Sequence, residues 1–316
     1  MKILPIPVLL LVAALSATPA RAQEPAVPLP KVGGYFQLRE TAQEQVGLSA
    51  LLNRARISVD GSLPNQFSYR GLLEMEASTG SRTPATVSLR EAVIRWNPAP
   101  FSIYAGQYKV PFSREYLIPV PLVETADFAA CVDSIAPKYD IGVTAEYAPG
   151  ALGSLAVGIF NGEGQNSTVN RDSVAMLVAR IVARPIPQLA LGANATRDGA
   201  DSSRWGVEAN AEELGAVVRS EYLVRHRRGR ASDQDDFGWY VFGGYRVMRF
   251  VQLIGRQEDF QRPSYGISRR VRATTLGVNL DLAPNRVKLL LEGVRRMSGA
   301  NQTRVDAFIA QLQARF

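Results

Sequence analysis

Apolar and polar residues alternate one by one along most of this chain, and no uninterrupted run of 18 apolar residues follows its N-terminal segment. A side-chain period of two belongs to a β-strand whose two faces meet different surroundings. In 51–60, Ala55, Ile57 and Val59 oppose Arg54, Arg56, Ser58 and Asp60; in 138–147, Ile141, Val143, Ala145 and Tyr147 oppose Gly142, Thr144 and Glu146. In 204–212, Trp205, Val207, Ala209 and Ala211 oppose Glu208, Asn210 and Glu212. In 68–76, Tyr69, Leu73 and Met75 oppose Ser68, Arg70, Glu74 and Glu76, with Leu72 out of step. Several charges on one face of so short a strand need water, and valines and aromatics on the other need an apolar medium. A membrane β-barrel supplies both, and it escapes hydropathy plots because the two kinds of residue alternate.

Alternation bounded by turn residues predicts about sixteen strands: 34–40, 51–60, 66–76, 86–96, 101–110, 138–147, 153–161, 173–184, 188–196, 204–212, 215–225, 237–246, 250–260, 271–281, 286–297 and 304–316. Most are near the 9–11 residues that a tilted membrane strand requires. Segment 86–96 alternates poorly and 188–196 is weakly amphipathic. Connections after even-numbered strands are short (61–65, 97–100, 148–152, 185–187, 213–214, 247–249, 282–285). Those after odd-numbered strands are mostly longer (41–50, 77–85, 111–137, 162–172, 226–236, 261–270). Short turns on one rim and long loops on the other are the asymmetry of outer-membrane barrels. The longest connection, 111–137, carries Leu117, Ile118, Val120, Leu122, Val123 and Phe128. It must therefore pack on something; the expectation is that it folds into the lumen as the third loop, the alternatives being a lid over the rim or a subunit contact.

The two ends of the chain carry their own signals. Met1-Lys2, the apolar stretch Leu9–Leu15 and Ala20-Arg21-Ala22 read as a cleaved secretory signal, residues 1–22. A short periplasmic segment, 23–33, would precede a barrel spanning 34–316. At the other end Phe308, Ala310, Leu312, Ala314 and Phe316 alternate with Ile309, Gln311, Gln313 and Arg315. A closed barrel must pair its last strand with its first, because lipid solvates no open edge. The amphipathic last strand with its terminal aromatic (Phe308, Leu312, Phe316) is the expected signal to the barrel assembly machinery.

Charge and composition narrow the function. The formal net charge is +7, from 36 basic and 29 acidic residues; without Lys2 and Arg21 it is 34 against 29, or +5. Nearly all the bases are Arg, scattered along an exported chain, which favours a channel wall that attracts anions over a nucleic-acid surface. The one cysteine, Cys131, excludes an internal disulfide, and the one histidine, His226, stands at a strand end with no serine at a catalytic spacing. No catalytic set, metal cluster or cofactor motif is expected, and Gly162-Glu163-Gly164 lacks the lysine and helix of a phosphate loop.

Several motifs in order along the mature chain resemble the phosphate-selective porin O and P family. They are Gly34-Tyr35-Phe36-Gln37-Leu38-Arg39, Asn53-Arg54-Ala55-Arg56, Gly106-Gln107-Tyr108-Lys109-Val110-Pro111-Phe112-Ser113-Arg114-Glu115, Asp140-Ile141-Gly142-Val143, Phe160-Asn161-Gly162-Glu163-Gly164 and the end, 311–316. Two features depart from the pattern: Lys138 and Tyr139 stand before Asp140 where an Arg is expected, and the chain is shorter than the best-known members. The resemblance implies a sixteen-stranded outer-membrane porin, a homotrimer with its third loop inside, passing small anions and preferring phosphate. Its partners would be outer-membrane lipids and the assembly machinery, with no nucleic acid.

A porin works through pore width and fixed charge on the wall. By alternation the lumen-side anion-binding candidates are Arg39, Arg54, Arg56, Arg70, Lys109, Arg180, Arg219, Arg225 and Arg256, with Arg114 inside the long loop. Lys109, at the strand end that enters that loop, is the first candidate for the constriction. Each could instead pair with an acid such as Asp60, Glu74, Glu76, Glu208, Glu221 or Glu258 and stiffen the wall. A barrel with a plugged lumen, structural or adhesive in role, is the alternative to an open channel.

Overall fold

A computed structural model describes residues 27–76, 86–167, 169–170, 173–199, 201–228, 233–264, 267–299 and 301–316. The signal reading (1–22), the start of the periplasmic segment and the connection 77–85 lie outside the described residues. Sixteen strands are present: β1 Lys31–Gln43, β2 Gly47–Ser62, β3 Phe67–Glu76, β4 Thr86–Trp96, β5 Phe101–Lys109, β6 Tyr139–Tyr147, β7 Gly153–Phe160 and β8 Met176–Ile186. The second half continues with β9 Leu189–Asp198, β10 Ser202–Glu213, β11 Ala216–Arg227, β12 Gln234–Met248, β13 Val251–Ser264, β14 Ile267–Ala283, β15 Val287–Gly299 and β16 Thr303–Arg315. Each pairs antiparallel with its sequence neighbours, and β1 pairs β16 from Tyr35↔Arg315 to Gln43↔Ala307, so the sheet is closed. No described helix is long and apolar enough to cross a membrane; the strands form the wall.

The seam is sealed by the chain's last residue. Phe316 N–H donates to the Gly34 carbonyl (3.0 Å) and Gly34 N–H donates back (3.1 Å). A Cβ on Gly34 would lie 2.6 Å from the Phe316 ring and 2.5 Å from the Arg56 carbonyl oxygen, so only glycine fits beneath that ring. Along β16, Ile309, Gln311 and Gln313 are buried inward, while Phe308 and Phe316 stay exposed outside, as the alternation requires.

β1, β2 and β9–β15 are longer than the alternation shows, and most of the extra length lies on one rim. The connection expected at 41–50 shrinks to a turn at 44–46, and β13 runs to Ser264 and β14 starts at Ile267, both inside the connection expected at 261–270. Near that rim both faces of a strand are polar, so hydrogen-bond pairing continues where hydrophobic alternation has stopped. The loop asymmetry therefore rests on the connections after β3, β5 and β7. The poor alternation of β4 has a cause too: the pairing with β3 jumps from Glu91 to Leu89, and the extra residue, Arg90, turns inward beside Glu91. A second shift, from Arg54 to Leu52, puts Asn53 and Arg54 both on the lumen side.

Candidate functional site

The connection between β5 and β6 folds inside the barrel, where it carries the short helices α1 Arg114–Leu117 and α2 Ala130–Ile135. Gly106, in the motif that leads into it, has φ +128, and a Cβ there would lie 2.1 Å from the Ala92 carbonyl oxygen. Ser113 (φ 64) and Lys138 (φ 65) turn the chain at the two ends. Ser113 Oγ accepts from Tyr116 N–H (3.3 Å), which caps α1.

A loop inside a barrel must find partners for its peptide groups. Four successive strands supply donors: Gln313 on β16 to Pro121 O (3.0 Å), Lys288 on β15 to Val123 O (2.9 Å), Asn279 on β14 to Glu124 O (2.8 Å) and Arg256 on β13 to Asp127 O (2.7 Å). Wall carboxylates accept in return: Glu221 from Glu115 N–H (2.6 Å), Glu292 from Ala126 N–H (2.7 Å) and Glu258 from Ala130 N–H (3.3 Å). Behind α2, Cys131, Val132, Ile135 and Phe112 pack with Leu223, Tyr240, Phe242 and Phe260, which fills this side of the lumen with apolar atoms.

Space remains on the other side. A cavity of about 590 Å³ lies between loop residues Leu117–Leu122 and the inner wall of β1–β6. Its cations are Arg56, Arg70, Arg95, Lys109 and Arg315, against the carboxylates of Asp60 and Glu91. Among the described residues Arg95 has no carboxylate partner; its guanidinium lies 5.5 Å from the Tyr104 ring centre. A second space of about 170 Å³, toward β12–β16, is lined by Arg246, Arg286, Lys288 and Arg315 against Glu124 and Asp281.

All ten cationic candidates stand in the lumen, and most are engaged. Arg56 holds Glu74 with two bonds (3.0 and 3.1 Å); Arg90 also bonds Glu74, and Arg54 approaches it at 3.6 Å. Three guanidiniums thus converge on one carboxylate, with the Tyr35 and Tyr139 rings 5.9 Å from Arg56 and Arg90. Arg70 pairs with Asp60 (2.7 Å) and Glu91 (2.8 Å), Arg180 with Glu208, Arg225 with Asp236, and Arg256 with Glu258 (3.2 Å) and Glu115 (3.4 Å). Two pair with the loop: Arg39 with Asp127 (2.9 Å) and Arg219 with Glu124 (2.5 Å). Arg114 lies 3.7 Å from Glu212. Lys109 is at the loop root as expected, but it donates to Tyr116 O (2.5 Å) and Ile118 O (2.9 Å), so it fastens the loop and is not a bare charge. Glu221 pairs with no described Arg; it accepts from the loop and from Tyr240 Oη (3.0 Å). The Glu76 side chain lies outside the described set.

Charges on the loop respond to this enclosure. Burial acts to lift Asp127, but Arg39 prevails and holds its carboxyl below the usual range. Burial lifts Glu115 from its ordinary 4.5 to about 7, with Arg256 and the Ala129 N–H opposing. Burial likewise raises the Cys131 thiol. Among the described residues no group of three or more His, Cys, Asp or Glu is placed to hold a metal ion.

Sequence reasoning missed Arg90, Arg95, Lys288 and Arg315 as lumen cations. A bulge hid the first two. Lys288 and Arg315 sit in strands already identified, and strict counting along β15 and β16 would have found them.

A family model described as phosphate-selective porin O and P matches residues 34–195, slightly more than half of the chain. No curated protein matches it in sequence. Among solved structures it is similar to the outer membrane channel DcaP of Acinetobacter baumannii (TM-score 0.71, 13% identity, covering 91% of this chain and 97% of that one). It is also similar to an anion-selective porin from Comamonas acidovorans (0.69, 11%, 91% and 99%) and to the trimer form of OmpT, an outer membrane protein of Vibrio cholerae (0.66, 12%, 91% and 99%). At such identities these structures establish the fold.

Proposed function

Because the chain belongs to the phosphate-selective porin O and P family, and is thus an outer-membrane channel, we propose that it works as a trimer that passes small anions in preference to cations. The observation that carries this reading is the charge balance of the open lumen. Five basic side chains face the carboxylates of Asp60 and Glu91 around the larger space; Glu74 beside it holds Arg56, and Arg95 is neutralised by none of the described residues. A permeant ion sheds part of its hydration in a narrow pore, and fixed charges of opposite sign lower that cost. Oxyanions gain more than chloride, because a guanidinium fork offers two parallel donors. The convergence of Arg54, Arg56 and Arg90 on Glu74, at the edge of this space where Arg56 lines it, supports phosphate among the permeants.

The family and fold support a channel over an enzyme. The trimer is supported by the trimer form among the structural neighbours. Residues 1–22 are read as a signal removed before Gln23, and the mass of the mature protein from outer membranes tests that directly.

The test of selectivity is the reversal potential of the refolded protein in a planar bilayer under a KCl gradient. The sign should be that of anion preference, and Arg95→Glu should shift it toward cations while leaving the fold intact. A wild-type channel selective for cations overturns the reading. A folded barrel with no conductance would favour the plugged alternative. Block of chloride current by added phosphate reports on the finer preference.

A further inference from the structure

Outside the barrel most strands present apolar side chains, among them Trp205, Val218, Tyr222, Trp239 and Val241. On β13–β16 this changes toward the rim of long connections. The cross-strand register sets Gln257, Thr274, Arg295 and Asp306 in one outward row, and Asp259, Arg272, Met297 and Arg304 in the next. One strand further, on β12, the same rows hold Val241 and Trp239, so charged and apolar surface meet at a sharp lateral edge. The residues alternating with these rows on β13, Arg256 and Glu258, are the ones that meet the loop inside.

Four guanidiniums share three carboxylates here, since Glu44 Oε2 accepts from Asp306 N–H (3.2 Å) beside Asp306 and Arg304. Asp259 takes Arg270 (2.8 Å) and Arg272 (3.4 Å). Asp306 takes Arg295 (3.1 Å) and Arg304. The Asp259 group keeps one positive charge in excess; Glu44 balances the Asp306 group, where the Arg295 and Arg304 side chains remain 58% and 54% exposed. None of these charges faces the conduction path, so channel function does not account for them.

We propose that this patch is the docking surface for the phosphorylated headgroup of an outer-leaflet lipid. In an outer-membrane barrel the rim of long connections faces the cell exterior, and this inference rests on that placement. Charge on the lipid-facing surface is tolerated where the apolar band ends, which is the depth at which lipid phosphates lie. Guanidinium forks match phosphate oxygens. Below the charged rows, Leu276 and Phe308 are exposed outward, where acyl chains would lie.

The test uses the full chain refolded in a neutral detergent, with lipid retention counted by native mass spectrometry. The probes are lipid A with both phosphates, lipid A stripped of phosphate, and inorganic phosphate. Wild type should retain the phosphorylated lipid about tenfold or more better than the stripped one, a few charge-assisted contacts' worth. The triple variant Arg272→Gln, Arg295→Gln, Arg304→Gln should fall to the stripped level. Its heat-modifiable migration and conductance should be unchanged, which separates failure here from failure of the channel reading. Equal retention by both proteins, or of both lipids, overturns the proposal. So does displacement of the lipid by an equal concentration of inorganic phosphate. A disulfide dimer formed by Thr274→Cys within the native oligomer also overturns it, since a second copy would then cover the patch.

Discussion

Arg39 on β1 grips Asp127, 88 residues further along, with both terminal guanidinium nitrogens (2.9 and 3.2 Å), and donates to the neighbouring Ala126 carbonyl (2.7 Å). This contact fastens the far end of the inner loop to the strand that closes the barrel. Hydrogen bonds to charged groups contribute about 1.5–3 kcal/mol each. Arg39→Ala or Asp127→Asn is therefore expected to raise the population of displaced loop about tenfold or more. The readout is larger and noisier single-channel current from a barrel of unchanged heat-modifiable migration. Quiet currents of wild-type size would show that the remaining wall contacts suffice.

Glu115 gives the loop a pH dependence. Its carboxyl is buried against Arg256, with Glu221, Glu258 and Glu124 also nearby, and burial lifts it from 4.5 to about 7. The docked loop thus keeps a proton that a free loop releases at lower pH. Docking is strongest below about 4.5 and weakens as the pH rises through about 7. Current fluctuations should grow from pH 5 to pH 8 in wild type and grow less in Glu115→Gln. An identical pH profile for the two proteins would remove Glu115 as the cause.

Cys131 reports on the apolar contact behind α2. It is fully buried, and a Cβ on Gly238 would sit 2.7 Å from its own Cβ. A membrane-impermeant maleimide should leave the native channel unlabelled. Gly238→Val should push α2 off the wall and, because its Cβ would also lie 2.6 Å from the Asp259 carbonyl oxygen, strain the β12–β13 pair; the cost is about 1–3 kcal/mol, and the thiol becomes open to the reagent. Rapid labelling of wild type would contradict the packing.

Barrel closure depends on Gly34 and Phe316 together. Gly34→Val forces a side chain into the Phe316 ring and the Arg56 carbonyl, so seam stability should drop by about 1–3 kcal/mol. A lower temperature for the folded-to-unfolded gel shift measures this. Phe316→Ala should rescue part of the clash with the ring while lowering assembly yield in cells.

Much of this architecture is present in one dimension. Strand number, strand order and the inward face of most strands follow from alternation, because lipid and water enforce opposite chemistry on neighbouring side chains. Phe308 and Gln311 on β16 and Ile57 and Arg56 on β2 fall on the faces that counting assigns. Counting fails where that enforcement lapses. At Arg90 a bulge puts two neighbours on one face, and at the outer rim of β13–β16 both faces are polar, so strand ends and outward charges such as Arg272 and Arg295 escape notice.

What only the tertiary structure decided is which charges meet. Alternation sends Arg39, Arg219 and Arg256 into the lumen, but their partners Asp127, Glu124 and Glu115 lie in a loop with no repeating pattern. The course of that loop is set by donors and acceptors on strands up to 192 residues away. A local periodicity records the medium each side chain meets; it holds no information about contacts made across the width of a closed cylinder.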